Sequence, residues 1–167
     1  MVDRIEVQEQ GTPVAFAFNE MLRFSGPGSP GGVALGFKAM EQSFAVLEPR
    51  GLVERREVVV ATPFGGPGAR DAWELVTRSL TDDRYVVDPA LARPERGHTL
   101  RTFGFRITYR SRTASLLLRA GFVSDEFVRL AQATELTVDE QCTFVAMKQA
   151  LADELMATPA ADLFDLE

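Results

Sequence analysis

The chain has 167 residues and a formal net charge of −6, and 46% of its residues are hydrophobic and 25% charged. This composition is typical of one globular domain and excludes a disordered chain, and no apolar run is long enough for a membrane-spanning helix. The acidic balance argues against nucleic acid as a partner, since phosphate recognition needs a basic surface. The N-terminal segment is charged and lacks the apolar core of a signal peptide, so we expect a cytoplasmic protein.

Two helices are predicted first along the chain. One covers residues 12–24, with Thr12 as its N-cap. The other covers residues 29–48 and carries an apolar stripe at helical spacing, which predicts a core-facing helix. Two of its glycines, Gly32 and Gly36, lie four residues apart and permit another backbone to approach closely, either for packing or for binding a ligand.

The middle of the chain is predicted to contain strands around one further helix. Residues 57–62 and 84–88 predict short strands, and residues 68–80 predict the helix between them. Residues 99–109 alternate between apolar and polar side chains, so we expect a half-buried strand with residues 113–120 as its hairpin partner. The face expected to be buried consists of Phe103, Phe105, Ile107 and Tyr109.

Two helices are predicted to complete the chain. Residues 124–136 begin with a serine cap, and residues 137–156 begin with a capping box formed by Thr137 and Glu140. The order of helices, strands and helices predicts one α+β domain over residues 1–167, in which helices pack on a small, mainly antiparallel sheet.

One cysteine, Cys142, and one histidine, His98, occur in the chain. No intrachain disulfide can form, and two such ligands are too few for a closed tetrahedral site, so any metal would need carboxylates or a second chain. We expect no cofactor. Cys142 lies one turn from both Val138 and Val145, which favours a free cysteine in the core over a nucleophile. Histidine is the residue type best suited to acid–base chemistry at neutral pH, but the loop position of His98 favours a solvated side chain over a catalytic one.

Two glycine-rich loops each begin a helix, one within residues 24–36 and one within residues 62–76. A helix start exposes unpaired N–H groups and the positive end of a dipole, and glycine lets a ligand approach them. Each loop therefore predicts an anion site, although a plain structural turn accounts for it equally well. Neither loop fits a P-loop or a dinucleotide fingerprint, because Gly68 is not followed by Lys-Ser/Thr and the first loop follows a helix.

Arg70 and Asp71 lie in the first turn of the helix that follows the second loop. Asp71 is suited to capping that helix, or to acting as a general base if it is buried beside an apolar neighbour such as Trp73. The guanidinium of Arg70 is suited to binding a carboxylate.

Scattered motifs along the chain resemble those of the E-subunit domain family of formylmethanofuran dehydrogenase. That family has Phe-His-Gly-His-x-x-Pro-Gly before a helix with an inner glycine, and later an Asp-Ala pair at a helix start. The matching residues here are FSGPGSPG at 24–31 with Gly36, Asp71-Ala72, TFGFRITYR at 102–110, Asp125-Glu126-Phe127 and Leu163-Phe164. The resemblance covers nearly the whole chain.

The departures from that family concern its metal. Its two histidines fall on Ser25 and Pro27, and its cysteine before Asp-Ala has no counterpart. The resemblance therefore implies the fold, a homodimer and a pocket where the two loops meet, in a version without the metal. The residues expected to bind a substrate there are Ser25, Gly26, Gly28, Ser29, Gly66 and Gly68.

Three hypotheses for function follow. The first is a metal-independent enzyme of specialised biosynthesis acting on a carbonyl- or carboxylate-bearing small molecule, with Asp71 as acid/base, Arg70 as anion binder and Tyr109 or His98 assisting. The second is a non-catalytic ligand-binding or accessory protein, and the third is an interaction domain whose loops only pack a dimer.

Overall fold

A computed structural model describes residues 2–167. It contains six α-helices, a two-stranded sheet and a five-stranded sheet, which confirms the predicted α+β class. The elements are β1 (Arg4–Glu9), β2 (Thr12–Ala17), α1 (Phe18–Ser25), α2 (Pro30–Leu47), β3 (Val58–Thr62), α3 (Pro67–Thr77), β4 (Tyr85–Val87), β5 (Gly104–Tyr109), β6 (Arg112–Leu118), α4 (Asp125–Gln132), α5 (Val138–Ala157), α6 (Ala160–Leu163) and β7 (Phe164–Leu166).

The N-terminal hairpin corrects the predicted first helix. Residues 12–17 form β2, which pairs antiparallel with β1, and the helix begins only at Phe18. The turn between the strands is formed by Gln10 and Gly11, whose φ angles of 50° and 80° are both positive, as a tight two-residue hairpin turn requires. Residues 12–17 therefore form a strand through their pairing with β1, although Thr12 and Pro13 are typical of a helix start.

The larger sheet has the strand order β4-β3-β5-β6-β7. It is mainly antiparallel, as predicted, and its one parallel pair joins β3 to β4 through the crossover helix α3. Strand β7 was not predicted from the sequence; it has only three residues and pairs with β6 at the sheet edge.

The core lies between one face of this sheet and the helices. Phe105, Ile107 and Tyr109 are buried as the alternation predicted, whereas Arg106 is exposed on the opposite face. Helix α2 is the central helix, because it buries twelve of its 18 residues. A Cβ at Gly36 would lie 3.2 Å from the Ala69 backbone, and one at Gly32 would lie equally close to the Ala69 nitrogen, so these two glycines of α2 serve close packing against α3.

The two C-terminal helices start as predicted. Ser124 caps α4, and the side chains and backbone N–H groups of Thr137 and Glu140 form the reciprocal capping box of α5. Helix α4 is shorter than predicted and ends at Gln132. Within residues 2–167, no helix combines the length and the apolar character that crossing a membrane requires.

The prediction that Cys142 lines the core is wrong, because the residue is exposed. Helix α5 buries only residues of its C-terminal half, and its N-terminal half extends beyond the core. Val138 and Val145, which share the stripe with Cys142, are 76% and 62% exposed. The sequence does place Val138, Cys142 and Val145 on one face of the helix. Among the described residues, however, no other element covers this face, so it stays exposed.

Candidate ligand-binding cleft

The two glycine-rich loops meet in space, as the resemblance implied. A Cβ added at Gly68 would contact the carbonyl oxygen of Ser29 and would lie 2.8 Å from the Val33 nitrogen. A Cβ at Gly32 would lie 3.2 Å from the Ala69 nitrogen. Glycine at these positions therefore brings the first turn of α3 against the first turn of α2, and the two helix starts lie side by side.

A cleft of about 510 Å³, which we call the interloop cleft, opens where these loops meet. Its volume lies within the range of about 300–1,000 Å³ that is usual for small-molecule sites. Helices α4 and α5 provide the other wall. The lining residues are Gly28, Ser29, Gly32, Pro63, Phe64, Gly65, Gly66, Pro67, Gly68, Thr102, Phe103, Phe127, Val128, Ala131, Gln132, Phe144 and Lys148.

Two pairs of phenylalanine rings give the cleft its apolar character. The Phe64 and Phe103 rings have centroids 4.9 Å apart, joining the second loop to the residue before β5. The Phe127 and Phe144 rings meet edge to face at 5.4 Å and join α4 to α5. Aromatic pairs of this kind hold one another in position, so the cleft has largely preformed apolar walls.

Lys148 is the only ionisable residue among those that line the cleft. Its Nζ donates a hydrogen bond of 2.9 Å to the carbonyl oxygen of Gly28 and lies 4.5 Å from the centroid of the Phe144 ring. Within residues 2–167 no aspartate or glutamate forms an ion pair with it, whereas the other lysine, Lys38, pairs with Glu41 at 3.1 Å. The cleft therefore contains one positive charge without a counter-charge.

The helix starts in the lining have no side-chain caps. Ser29 occupies the N-cap of α2 without a side-chain hydrogen bond to the helix, and Gly66 at the N-cap of α3 has no side chain to donate or accept one. The first-turn N–H groups of both helices thus add partial positive charge beside Lys148.

The predicted site residues separate into groups. Gly28, Ser29, Gly66 and Gly68 line the cleft, but Ser25 and Gly26 do not. Ser25 lies at the end of α1, where its Oγ donates a hydrogen bond of 2.9 Å to Oδ2 of Asp71. Gly26 follows it and lies beside a shallow depression that includes Pro27 and Pro30.

Asp71 and Arg70 are adjacent to each other but outside the cleft lining. Arg70 donates hydrogen bonds to Oδ1 of Asp71 through Nε at 3.3 Å and Nη2 at 3.2 Å, and Ser25 donates one to Oδ2, so both carboxylate oxygens have partners.

Tyr85 lies near this pair. Burial raises the pKa of its phenol; the positive charge of Arg70 opposes this increase and the negative charge of Asp71 adds to it. The Tyr85 hydroxyl has no hydrogen-bond partner among residues 2–167.

Tyr109 and His98 lie elsewhere in the fold. Tyr109 ends β5, about 20 Å along the strand from Phe103, given a rise of about 3.3 Å per residue. Its hydroxyl oxygen accepts a hydrogen bond of 3.1 Å from the Glu54 nitrogen. His98 is exposed in the loop before β5. The structure therefore does not bring these two residues into the cleft.

The α4–α5 wall of the cleft was not predicted from the sequence. Phe144 and Lys148 are four residues apart on α5, and Phe127 and Ala131 are four apart on α4, so each pair shares one helix face. This spacing was the available signal. It did not indicate that the two faces would converge on the glycine-rich loops.

The residues present do not fit the metal of the family that the sequence resembles. The Ser25 hydroxyl, at the position that matches one of that family's histidines, donates a hydrogen bond to Asp71, and Pro27 has no ligating side chain. Within residues 2–167, no group of three or more His, Cys, Asp or Glu side chains is placed to hold a metal ion.

Neither a protein-family model nor a curated protein matches the chain. The resemblance to the formylmethanofuran dehydrogenase domain family therefore stays a prediction from the sequence.

Proposed function

We propose that the protein binds a small organic molecule with an apolar body in the interloop cleft. The observation that carries the proposal is the cleft itself, about 510 Å³ in volume and lined by four phenylalanine side chains with a few polar groups at the two helix starts. Concave, mainly apolar sites with few polar groups are the usual form of small-molecule sites.

Binding is supported more directly than catalysis. The residues lining the cleft include no Asp, Glu, His, Cys or Tyr, and their one ionisable side chain, Lys148, donates a hydrogen bond to the Gly28 carbonyl oxygen. Asp71, the acid/base of the enzyme hypothesis, has both carboxylate oxygens engaged by Ser25 and Arg70. This corresponds to the second hypothesis from the sequence, a non-catalytic ligand-binding or accessory protein.

A thermal-shift screen with a cleft-filling variant tests the proposal. Ala131 is exposed on α4 and lines the cleft, so Ala131→Trp should fill the cleft without disturbing the core. Ala146→Trp is the matched control, because Ala146 is exposed on α5 and does not line the cleft.

We expect some members of a library of small aromatic acids and neutral compounds to raise the unfolding temperature of the wild type and of Ala146→Trp but not of Ala131→Trp. If every compound that stabilises the wild type also stabilises Ala131→Trp, the interloop cleft is not the binding site.

The metal-independent enzyme is the second candidate. It is favoured by the cluster of Ser25, Asp71 and Arg70, in which a hydroxyl and a guanidinium hold a partly buried carboxylate in place. The test is mass-spectrometric analysis of ligands from the screen after incubation with the wild type and with Asp71→Asn. Turnover by the wild type that Asp71→Asn abolishes, with ligand binding retained, would establish the enzyme; unchanged ligands would leave binding as the function.

The homodimer implied by the resemblance also stays a proposal. Size-exclusion chromatography with light scattering, run with and without a ligand from the screen, distinguishes a dimer of this 18.4 kDa chain from a monomer.

A further inference from the structure

We infer that the ligand of the interloop cleft is an aromatic monocarboxylate whose carboxylate binds Nζ of Lys148. This inference rests on the proposed function, since it specifies the chemical class of the molecule that the cleft binds. It adds a recognition residue, Lys148, that no pattern in the sequence indicated.

The bonding of Lys148 leaves room for an anion. An ammonium group has three N–H donors, and the structure shows one hydrogen bond from Nζ, to the Gly28 carbonyl oxygen. That bond directs the side chain across the cleft toward the first glycine-rich loop. Because no aspartate or glutamate of residues 2–167 pairs with it, a carboxylate from the ligand would supply the missing negative charge.

Charge also selects against neutral ligands. A molecule that covers the cleft removes water from the ammonium group, and a partly desolvated charge without a partner is costly. A carboxylate compensates for that loss with a charge-assisted hydrogen bond, whereas a neutral amide does so much less. The uncapped starts of α2 and α3, which contribute Gly32 and Gly68 to the lining, add to the positive potential.

The cleft has a single formal positive charge, which indicates a monoanion. A phosphate dianion or a dicarboxylate would place a second negative charge among the rings of Phe64, Phe103 and Phe127 without a cation to match it. The same rings favour an aromatic body, since they offer faces and edges for stacked and edge-to-face contacts.

The test compares matched acids and amides. Benzoate, cinnamate and naphthoate, each with its primary amide, are titrated into the wild type, Lys148→Met, Lys148→Arg and Arg50→Met by calorimetry. Arg50→Met is the control for loss of one positive charge. Arg50 is exposed beyond the C-terminal end of α2, whereas the cleft lies at the N-terminal end of this helix. The helix has 18 residues and is therefore about 27 Å long, so Arg50 is far from the cleft.

In the wild type, we expect at least one acid to bind about tenfold or more tightly than its amide. Lys148→Met should remove this preference and leave the affinity for the amide unchanged, whereas Lys148→Arg and Arg50→Met should retain it. A purely structural role of Lys148, through its bond to Gly28, would weaken acid and amide alike and leave their ratio unchanged.

Three results would overturn the inference: equal binding of acids and amides by the wild type, a preference that survives in Lys148→Met, or no binding of either series. In the first case the proposed function stands without carboxylate recognition, and in the second it stands with the carboxylate recognised by a group other than Lys148. In the third case the inference that the ligand is an aromatic monocarboxylate is wrong, and the thermal-shift screen with Ala131→Trp tests the proposed function separately.

Discussion

The Oγ of Ser25 donates a hydrogen bond of 2.9 Å to Oδ2 of Asp71, a residue 46 positions further along the chain. The bond connects the last residue of α1 to the fifth residue of α3, beside the place where the two glycine-rich loops meet. It holds together two residues that the sequence assigned to one site, but it lies outside the cleft lining.

Ser25→Ala should lower the free energy of unfolding by about 1 kcal/mol, because it removes a partly buried hydrogen bond to a charged acceptor. Urea denaturation measures the change. Arg70→Gln is the comparison, since the Arg70 side chain is 44% exposed and its ion pair with Asp71 should contribute less. A larger loss from Arg70→Gln than from Ser25→Ala would contradict this ranking.

Gly68→Ala should destabilise the fold by about 2 kcal/mol or more, because the added methyl group would meet backbone atoms of Ser29 and Val33. These atoms belong to the start of a helix and cannot move without separating the loops. Gly65→Ala is the matched control in the same loop, as a Cβ at Gly65 has no atom within 4 Å. Chemical denaturation should show no loss of stability for Gly65→Ala, and equal effects of the two substitutions would disprove the close contact.

Glu74 should make stability depend on pH. Burial raises the pKa of its carboxyl group, but hydrogen bonds from Thr81, from the Leu80 backbone and from Arg78 outweigh burial and hold the pKa below its ordinary value. A folded-state pKa below the unfolded value of about 4.3 means that the contribution is present above that pH and is lost as the pH falls through the folded-state pKa.

Glu74→Gln should therefore be less stable than the wild type at neutral pH, and the difference should shrink as the pH falls from about 5 to about 3. Denaturation curves of both proteins over this range measure it. Other carboxylates also titrate there, so the difference between the two proteins is the quantity to follow. A difference that stays constant with pH would show that Glu74 acts through packing instead.

Cys142 should react with a thiol reagent in the native protein at nearly the rate of the unfolded chain, since its side chain is exposed on α5. Cys142→Ser should change the free energy of unfolding by less than about 0.5 kcal/mol, as is usual at surface positions. A native-state thiol that is protected from the reagent would indicate that the exposed stripe of α5 is covered in solution.

Local signals in the sequence were sufficient for much of the fold. The capping box of Thr137 and Glu140 and the alternation of Phe105, Ile107 and Tyr109 involve neighbours in the chain, and both are present as predicted. The spacing of Gly32 and Gly36 likewise indicated close packing, which α3 provides.

The errors arose where distant partners decide the structure. Thr12 had the features of a helix cap, but pairing with β1 makes its segment a strand. Cys142 had the spacing of a core residue, but no element of the described chain packs over that part of α5. Lys148 became a candidate only through its contact with Gly28, 120 residues away, and no local pattern encodes such a contact.

Trp73 is the only tryptophan of the chain, and it is fully buried between Phe44 and Phe105. Its fluorescence is therefore a built-in optical signal from the centre of the core, and unfolding should shift the emission to longer wavelength without any added label. Trp73 is not among the residues that line the interloop cleft. A ligand in the cleft should leave the emission wavelength unchanged. The emission of Trp73 therefore reports loss of the fold and does not respond to binding alone.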